Sequence, residues 1–232
     1  MDERIDPERV ARVVAALAVG ESDPRASLCS ASAGLVDMTG AGVVLLSDRR
    51  TLGNVCVSDA VTQRVEDLQY ALGEGPCVDA FRTREPVLVA DLEAIDGRWS
   101  AFRKGALAAG MRAAFGFPLI VGPSCIGALN LFHDRPGALT DNQFADALTI
   151  AHVAARTVLA WQVSVGPGAV PWQLEQVPAH RAVVHQATGI ISVQAGVPID
   201  DALVLLRAHA FAEERLIGEV AEDVVGGVLR FD

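Results

Sequence analysis

A chain of 232 residues, 51% of them hydrophobic, holds enough apolar material for one large or two modest domains. Its net charge of −10 opposes nucleic-acid binding unless positive charge gathers on one face. No run of eighteen apolar residues is long enough to span a membrane, and the acidic start Met1-Asp2-Glu3-Arg4 lacks the basic and apolar regions of a secretory signal, so a cytoplasmic protein is expected.

Residues 7–20 show a helical apolar pattern with Pro7 in the first turn and Gly20 at the end. A turn at Ser22-Asp23-Pro24 leads to a second helix over 25–39, with Leu28, Ser32, Leu35 and Val36 on one face. The period then shortens to that of strands. Residues 42–47 and 55–58 form a hairpin across the polar turn Asp48-Arg49-Arg50, and 86–89, 111–121 and 126–132 supply three more strands. The last two are joined by Gly122-Pro123-Ser124. A helical segment covers 99–107, and Thr140 caps a long helix over 142–163. Helices flanking antiparallel strands make an α+β domain over residues 1–165. Gly166-Pro167-Gly168-Ala169-Val170-Pro171 breaks any helix and opens a linker over 166–177, with Trp172 and Leu174 just beyond the break.

Residues 178–232 carry three short amphipathic helices. The first ends at Ala195-Gly196. The second follows Pro198 and Asp200, with Asp200 placed to cap it, and repeats Ala202, Leu205, Leu206, His209 and Ala210 at helical spacing. The third carries Leu216, Val220, Ala221, Val224, Val225 and Val228. Such a unit is close to the size at which a core is marginal alone, so a partner chain is expected. Four arginines face eight carboxylates here, a balance of −4. Phosphate contacts supply much of the affinity for nucleic acid, and this balance opposes them.

The four cysteines, Cys29, Cys56, Cys77 and Cys125, show no C-x-x-C pair and are expected to be reduced and buried, with no structural zinc. Gly73-Glu74-Gly75-Pro76-Cys77 reads either as a loop lying over a ligand or as a tight turn that starts a helix over 77–83. Cys77 at that helix start is the candidate redox sensor if the helix dipole favours its thiolate, and is inert if buried. His133 and His152 are lone histidines of the kind that ligate haem less often than they pack or face solvent. No hydrolase triad, zinc-protease, P-loop or paired-carboxylate arrangement occurs, so enzyme activity is not expected.

Leu68-Gln69-Tyr70-Ala71-Leu72-Gly73-Glu74-Gly75-Pro76-Cys77, with Phe81, Pro86-Val87, Asp91, Phe117-Pro118-Leu119 and Gly127-Ala128-Leu129-Asn130-Leu131, resembles a GAF domain over about residues 25–162. That resemblance implies a sensor of a small molecule or of redox state. Arg181…Gln186-Ala187-x-Gly189-Ile190, then Ala202…Leu206-Arg207-x-x-Ala210, then Arg215-Leu216…Val220-Ala221-x-x-Val224-Val225 resembles the ANTAR family over about residues 180–225. It implies a three-helix, RNA-binding domain of transcription antiterminators that recognises hairpins in leader transcripts, usually as a homodimer. The family motif would place RNA contacts at Arg181, Gln186, Ala187, Thr188, Gly189, Arg207 and Arg215. Thr188 stands where many members have Lys, and Gly226-Gly227 stands where a stronger, often basic, helix former is usual. The other reading is a dimeric signalling adaptor whose ANTAR surface no longer binds RNA. No cofactor is identified.

Overall fold

A computed structural model describes residues 6–18, 24–47, 50–95, 97–164, 179–213 and 215–231. The chain divides into two compact units, Met1–Ala169 and Val170–Asp232. The linker at Gly166–Pro171, together with Trp172 and Leu174, lies outside the described residues, as does the turn at Asp48 and Arg49.

The first unit is built on a five-stranded antiparallel sheet: β1 (Gly40–Ser47), β2 (Arg50–Val57), β3 (Val87–Val89), β4 (Ala113–Val121) and β5 (Ser124–His133). The spatial order is β2-β1-β5-β4-β3, so β2 and β3 are the edges. The central strands are buried along nearly their whole length, because helices cover both faces. On one face lie α1 (Pro7–Ala18), α2 (Pro24–Leu35) and α6 (Asp141–Ser164); on the other lie α3 (Ala60–Leu72), α4 (Pro76–Thr83) and α5 (Ser100–Ala108). Strand side chains alternate between the two. Phe117 of β4 meets Phe144 of α6, while its neighbour Gly116 lies under α4.

The covering layers are fixed by polar ties as well as by apolar packing. Arg9 and Arg12 of α1 both pair with Asp146 of α6. Gln143 Nε2 of α6 donates to the Val36 carbonyl just past α2 at 2.9 Å. Thr140 caps α6 as its sequence predicts: Thr140 Oγ1 accepts from the Gln143 N–H, and Gln143 Oε1 accepts from the Thr140 N–H, a reciprocal capping box. The second helix stops four residues short of the expected Thr39. Asp37 takes a left-handed φ of 52°, and the Met38 N–H closes the turn on the Ala33 carbonyl.

Helix α3 fills the helical insertion expected between Cys56 and Cys77, and its cap is strong. Asp59 Oδ1 accepts from the Val61 and Thr62 N–H groups, and Oδ2 accepts from the Ser58 and Thr62 hydroxyls. Burial alone would raise this carboxyl, but these hydrogen bonds outweigh it and hold Asp59 below its usual range. Its stabilising effect is therefore present above the unfolded value and lost as pH falls through the folded one. Asp59→Ala is expected to cost about 1–2 kcal/mol in urea unfolding at neutral pH. Asp59→Asn should cost less and flatten the acid side of the stability profile; a cost of zero for the alanine would remove the cap from the account.

The second unit packs α7 (Ala179–Ala195), α8 (Ile199–Ala212) and α9 (Ile217–Val225) around Val184, Ala187, Ile191, Ala202, Leu203, Leu206, Ala210, Val220, Ala221 and Val224. Gly196 ends α7 at φ 64°, and the Val197 N–H returns to the Ser192 carbonyl. Asp200 does not cap α8. The helix begins at Ile199, two residues earlier than an Asp200 cap would place it, with Pro198 at the cap position and Asp200 and Asp201 in its first turn, where the helix dipole favours them. On α9 only Val220, Ala221 and Val224 of the predicted stripe are buried; Leu216 precedes the helix and Val228 follows it, both exposed. Among the described residues no single helix is long and apolar enough to cross a membrane.

Candidate functional site

Two sites were expected: a sensor core in the first unit and an RNA face in the second. In the first, one row of the sheet runs Gly42 (β1), Asn130 (β5), Gly116 (β4). The two glycines let covering elements approach closely. A Cβ at Gly42 would lie 2.4 Å from Glu66 Oε1, and one at Gly116 would lie 2.6 Å from the Pro76 carbonyl oxygen. Glu66 of α3 therefore sits directly on the sheet, buried, and accepts a hydrogen bond from Asn130 Nδ2 at 2.7 Å and from Gln69 Nε2 at 3.3 Å.

The Gly73–Cys77 loop is the place where three helices are joined. Gly73 ends α3 at φ 65°, Gly75 takes φ 129°, and Pro76 opens α4. Gln69 Oε1 accepts from the Cys77 N–H at 3.0 Å, satisfying an amide at the start of α4. Glu74 Oε1 accepts from the Phe102 N–H at 3.0 Å in the first turn of α5, whose own cap residue, Trp99, makes no side-chain bond. The loop works as the tight turn of the two readings, and its acidic side chain serves as a helix cap.

Cys77 is not the exposed thiolate that redox sensing requires. It is fully buried beside Val44, Leu46 and Ala128. Burial, then the neighbouring Glu66 carboxylate, push its thiol well above the usual range, so it stays protonated. Nor are all four cysteines reduced: Cys29 of α2 and Cys56 of β2 form a disulfide. Sequence separation gave no hint of this pair, because the contact depends on α2 folding back onto the sheet edge. His133 lies 2.8 Å from the Asp134 carboxylate, on a different element from His152.

In the second unit the seven predicted contact residues divide. Ala187 is fully buried, and Thr188 is buried with its hydroxyl donating to the Val184 carbonyl at 2.6 Å. Both side chains belong to the core between the helices. The motif spacing could not separate them from their neighbours, since adjacent positions on a helix point about 100° apart. Gln186 and Gly189 lie on the outer face. With Ile190, Val193, Gln194 and Val225 they line an open, largely apolar groove of about 570 Å³ between α7 and α9. Arg215, between α8 and α9, is held by Asp223 at 2.7 Å, Glu213 at 3.3 Å and Glu219 at 3.9 Å. The hydrogen bonds it donates to Asp223 and Glu213 raise its pKa. Its charge is already answered by three carboxylates. Arg207 is half-buried on α8, and the side chain of Arg181 lies outside the described residues.

The sequence matches the GAF domain family over residues 21–158, more than half of the chain. The chain belongs to the GAF domain family. Residues 172–225 match the ANTAR domain, so a GAF domain precedes an ANTAR domain in one chain. The fold of the first unit is similar to two solved structures. One is the GAF domain from an Acinetobacter phosphoenolpyruvate-protein phosphotransferase, at 15% identity and a TM-score of 0.52, covering 68% of this chain and 95% of that one. The other is the GAF domain of the corresponding protein from Coxiella burnetii, at 12% identity and a TM-score of 0.51, covering 67% and 94%. Among curated proteins none matches the sequence.

Within the GAF domain, sequence reading did not single out Glu66, Asn130, Cys29 or Cys56. Glu66 had one available signal. A carboxylate lying between the apolar positions Val65 and Leu68 marks either a helix edge or a buried polar contact, and only the glycine row at Gly42 and Gly116 decides for burial.

Proposed function

We propose that the protein is a cytoplasmic, non-enzymatic sensor-regulator. Its ANTAR domain binds leader RNA hairpins to control transcription antitermination, and a ligand or redox signal at the GAF domain sets its activity. It acts as a homodimer, with α6 as the contact through which the protomers respond together. The observation that carries this reading is the succession of a GAF domain and an ANTAR domain in one chain.

The groove on the ANTAR domain suits an unstacked base better than a phosphate. Ile190, Val193 and Val225 offer an apolar bed, and Val193 is 83% exposed. Gln186 carries both donors and acceptors for a base edge, and Gln194, whose Oε1 accepts from the Phe231 N–H at 3.1 Å, adds the donors of its amide nitrogen. Gly189 leaves open space where any other residue would place a Cβ. Sequence-specific RNA recognition commonly takes this form, with a splayed loop base held by its face and edge.

Few cations are available for the backbone, since Arg215 is occupied. Filter-binding titrations with hairpin RNA at two salt concentrations should give a shallow dependence, with a slope of roughly −2 for two or three phosphate contacts per copy. Arg207→Ala should reduce that slope by about one and weaken binding, with helix content by circular dichroism unchanged. Unchanged affinity would remove Arg207 from the interface.

The second reading, a dimeric adaptor that meets protein rather than RNA, is favoured by one observation. The carboxylates around Arg215 leave the interhelix corner without net positive charge. It predicts no RNA binding at either salt concentration.

A further inference from the structure

We propose that the Cys29–Cys56 pair is the input site of the GAF domain: a reversible dithiol–disulfide couple whose reaction partner is a dithiol. This inference rests on the reading of the first unit as a sensor, and it names the signal.

Three observations carry it. The first is connectivity: the bond joins α2, in the outer helical layer, to β2, the edge strand of the sheet. The second is selection among the four cysteines. Cys77 is sealed and held protonated, whereas Cys125 sits near the β4–β5 turn with its thiol donating to the Gly127 carbonyl, free of any disulfide. Only Cys29 and Cys56 are already placed to make and break a bond with each other. The third is where α2 leads. It packs on α1 and α6, the Gln143 side chain of α6 is tied to Val36 just beyond α2, and α1 is bound to Asp146 of α6. A change in how α2 sits is therefore felt in the first two turns of α6.

The chemistry is ordinary thiol–disulfide exchange. One thiolate of the incoming dithiol attacks the sulfur of Cys56, a residue that is 8% exposed and lies on an edge strand; Cys29 is fully enclosed. The Cys29–Cys56 bond breaks, and Cys29 leaves as a thiolate and takes up a proton. The second thiol of the reductant then attacks the mixed disulfide on its own sulfur and closes its own disulfide. Cys56 is released and protonated in turn. Two electrons and two protons move from the dithiol to the pair, and exchange with an oxidised disulfide carrier runs the same steps backwards. Reduction frees α2 from the sheet edge while its apolar contacts, including the fully buried Leu28 side, keep the domain folded.

The experiment uses the full chain treated with dithiothreitol under native conditions, then reoxidised with oxidised glutathione. Alkylation followed by mass spectrometry counts the thiols, and hydrogen exchange is followed in residues 24–36 and 141–146. The expected result is two additional thiols without loss of circular-dichroism signal, severalfold faster exchange in both segments, and reversal on reoxidation. Cys29→Ser and Cys56→Ala, tested separately in case one fails to fold, should exchange fast with or without dithiothreitol. A bond that resists dithiothreitol until the protein unfolds is a structural brace and overturns the proposal. So does reduction that leaves exchange in α2 and α6 unchanged. None of these readouts involves RNA: a protein that passes them yet binds no hairpin keeps its redox input and loses only the proposed output.

Discussion

Glu66→Ala should lower the stability of the GAF domain by about 3 kcal/mol. The variant strips the acceptor from two buried donors, Asn130 Nδ2 and Gln69 Nε2, and each orphaned donor costs about 1–3 kcal/mol. It also removes a carboxylate whose burial is itself expensive, and that relief offsets part of the loss. Glu66→Gln separates the two contributions. It keeps the shape and one acceptor but turns an N–H₂ toward one of the donors, so its cost should fall between wild type and alanine. Urea unfolding followed by tryptophan fluorescence measures both, since Trp99 is buried in the core cluster that includes Val65, the neighbour of Glu66 on α3. An alanine variant within about 0.5 kcal/mol of wild type, the range of ordinary surface substitutions, would show that the network holds nothing together.

Removing the disulfide has an effect of comparable size and different origin. The bond closes a loop with a sequence separation of 27. In the chain-entropy model a loop of that length stabilises by about 3.5 kcal/mol, through restriction of the unfolded chain. The double variant Cys29→Ala/Cys56→Ala should therefore melt lower, by roughly 2–4 °C per kcal/mol for a unit of this size. Its folding rate and unfolding rate together report the origin. Loss through the unfolded state appears mainly as slower folding if α2 docks on the sheet before the transition state. A melting temperature equal to that of the oxidised parent would show that the bond does not stabilise the domain through restriction of its unfolded chain.

Much of the fold was legible because its periods are clean. The three C-terminal helices, the Thr140 cap and the hairpin of β4 and β5 follow directly from apolar spacing, Pro and Gly positions and a Thr-x-x-Gln pattern. What was not legible depends on contacts between segments distant in sequence. Helix α3 carries Val61, Val65, Leu68 and Leu72 at helical spacing behind an Asp59 cap, yet its interior is rich in polar residues, and Thr62, Glu66 and Gln69 are buried polar side chains that patterning assigns to solvent. Cys29 and Cys56 are ordinary apolar positions in their own elements until α2 lies on β2. In the ANTAR domain the motif spacing placed its residues on helices but could not tell which of them face inward. Ala187 and Thr188 went to the core, and Arg215 went to its own acidic neighbours.

The borrowed caps at the Gly73–Cys77 loop bear on how the domain comes apart. Helices α4 and α5 each owe an end amide to a side chain that belongs to another segment: Gln69 serves the first and Glu74 the second. Neither helix can fray from its start without surrendering a bond anchored elsewhere, and α3 cannot unwind its last turn without disturbing both. This face of the sheet should consequently open as one block, with amide protection in the three helices lost together and at a common free energy, whereas α2 on the opposite face is released by a chemical event of its own.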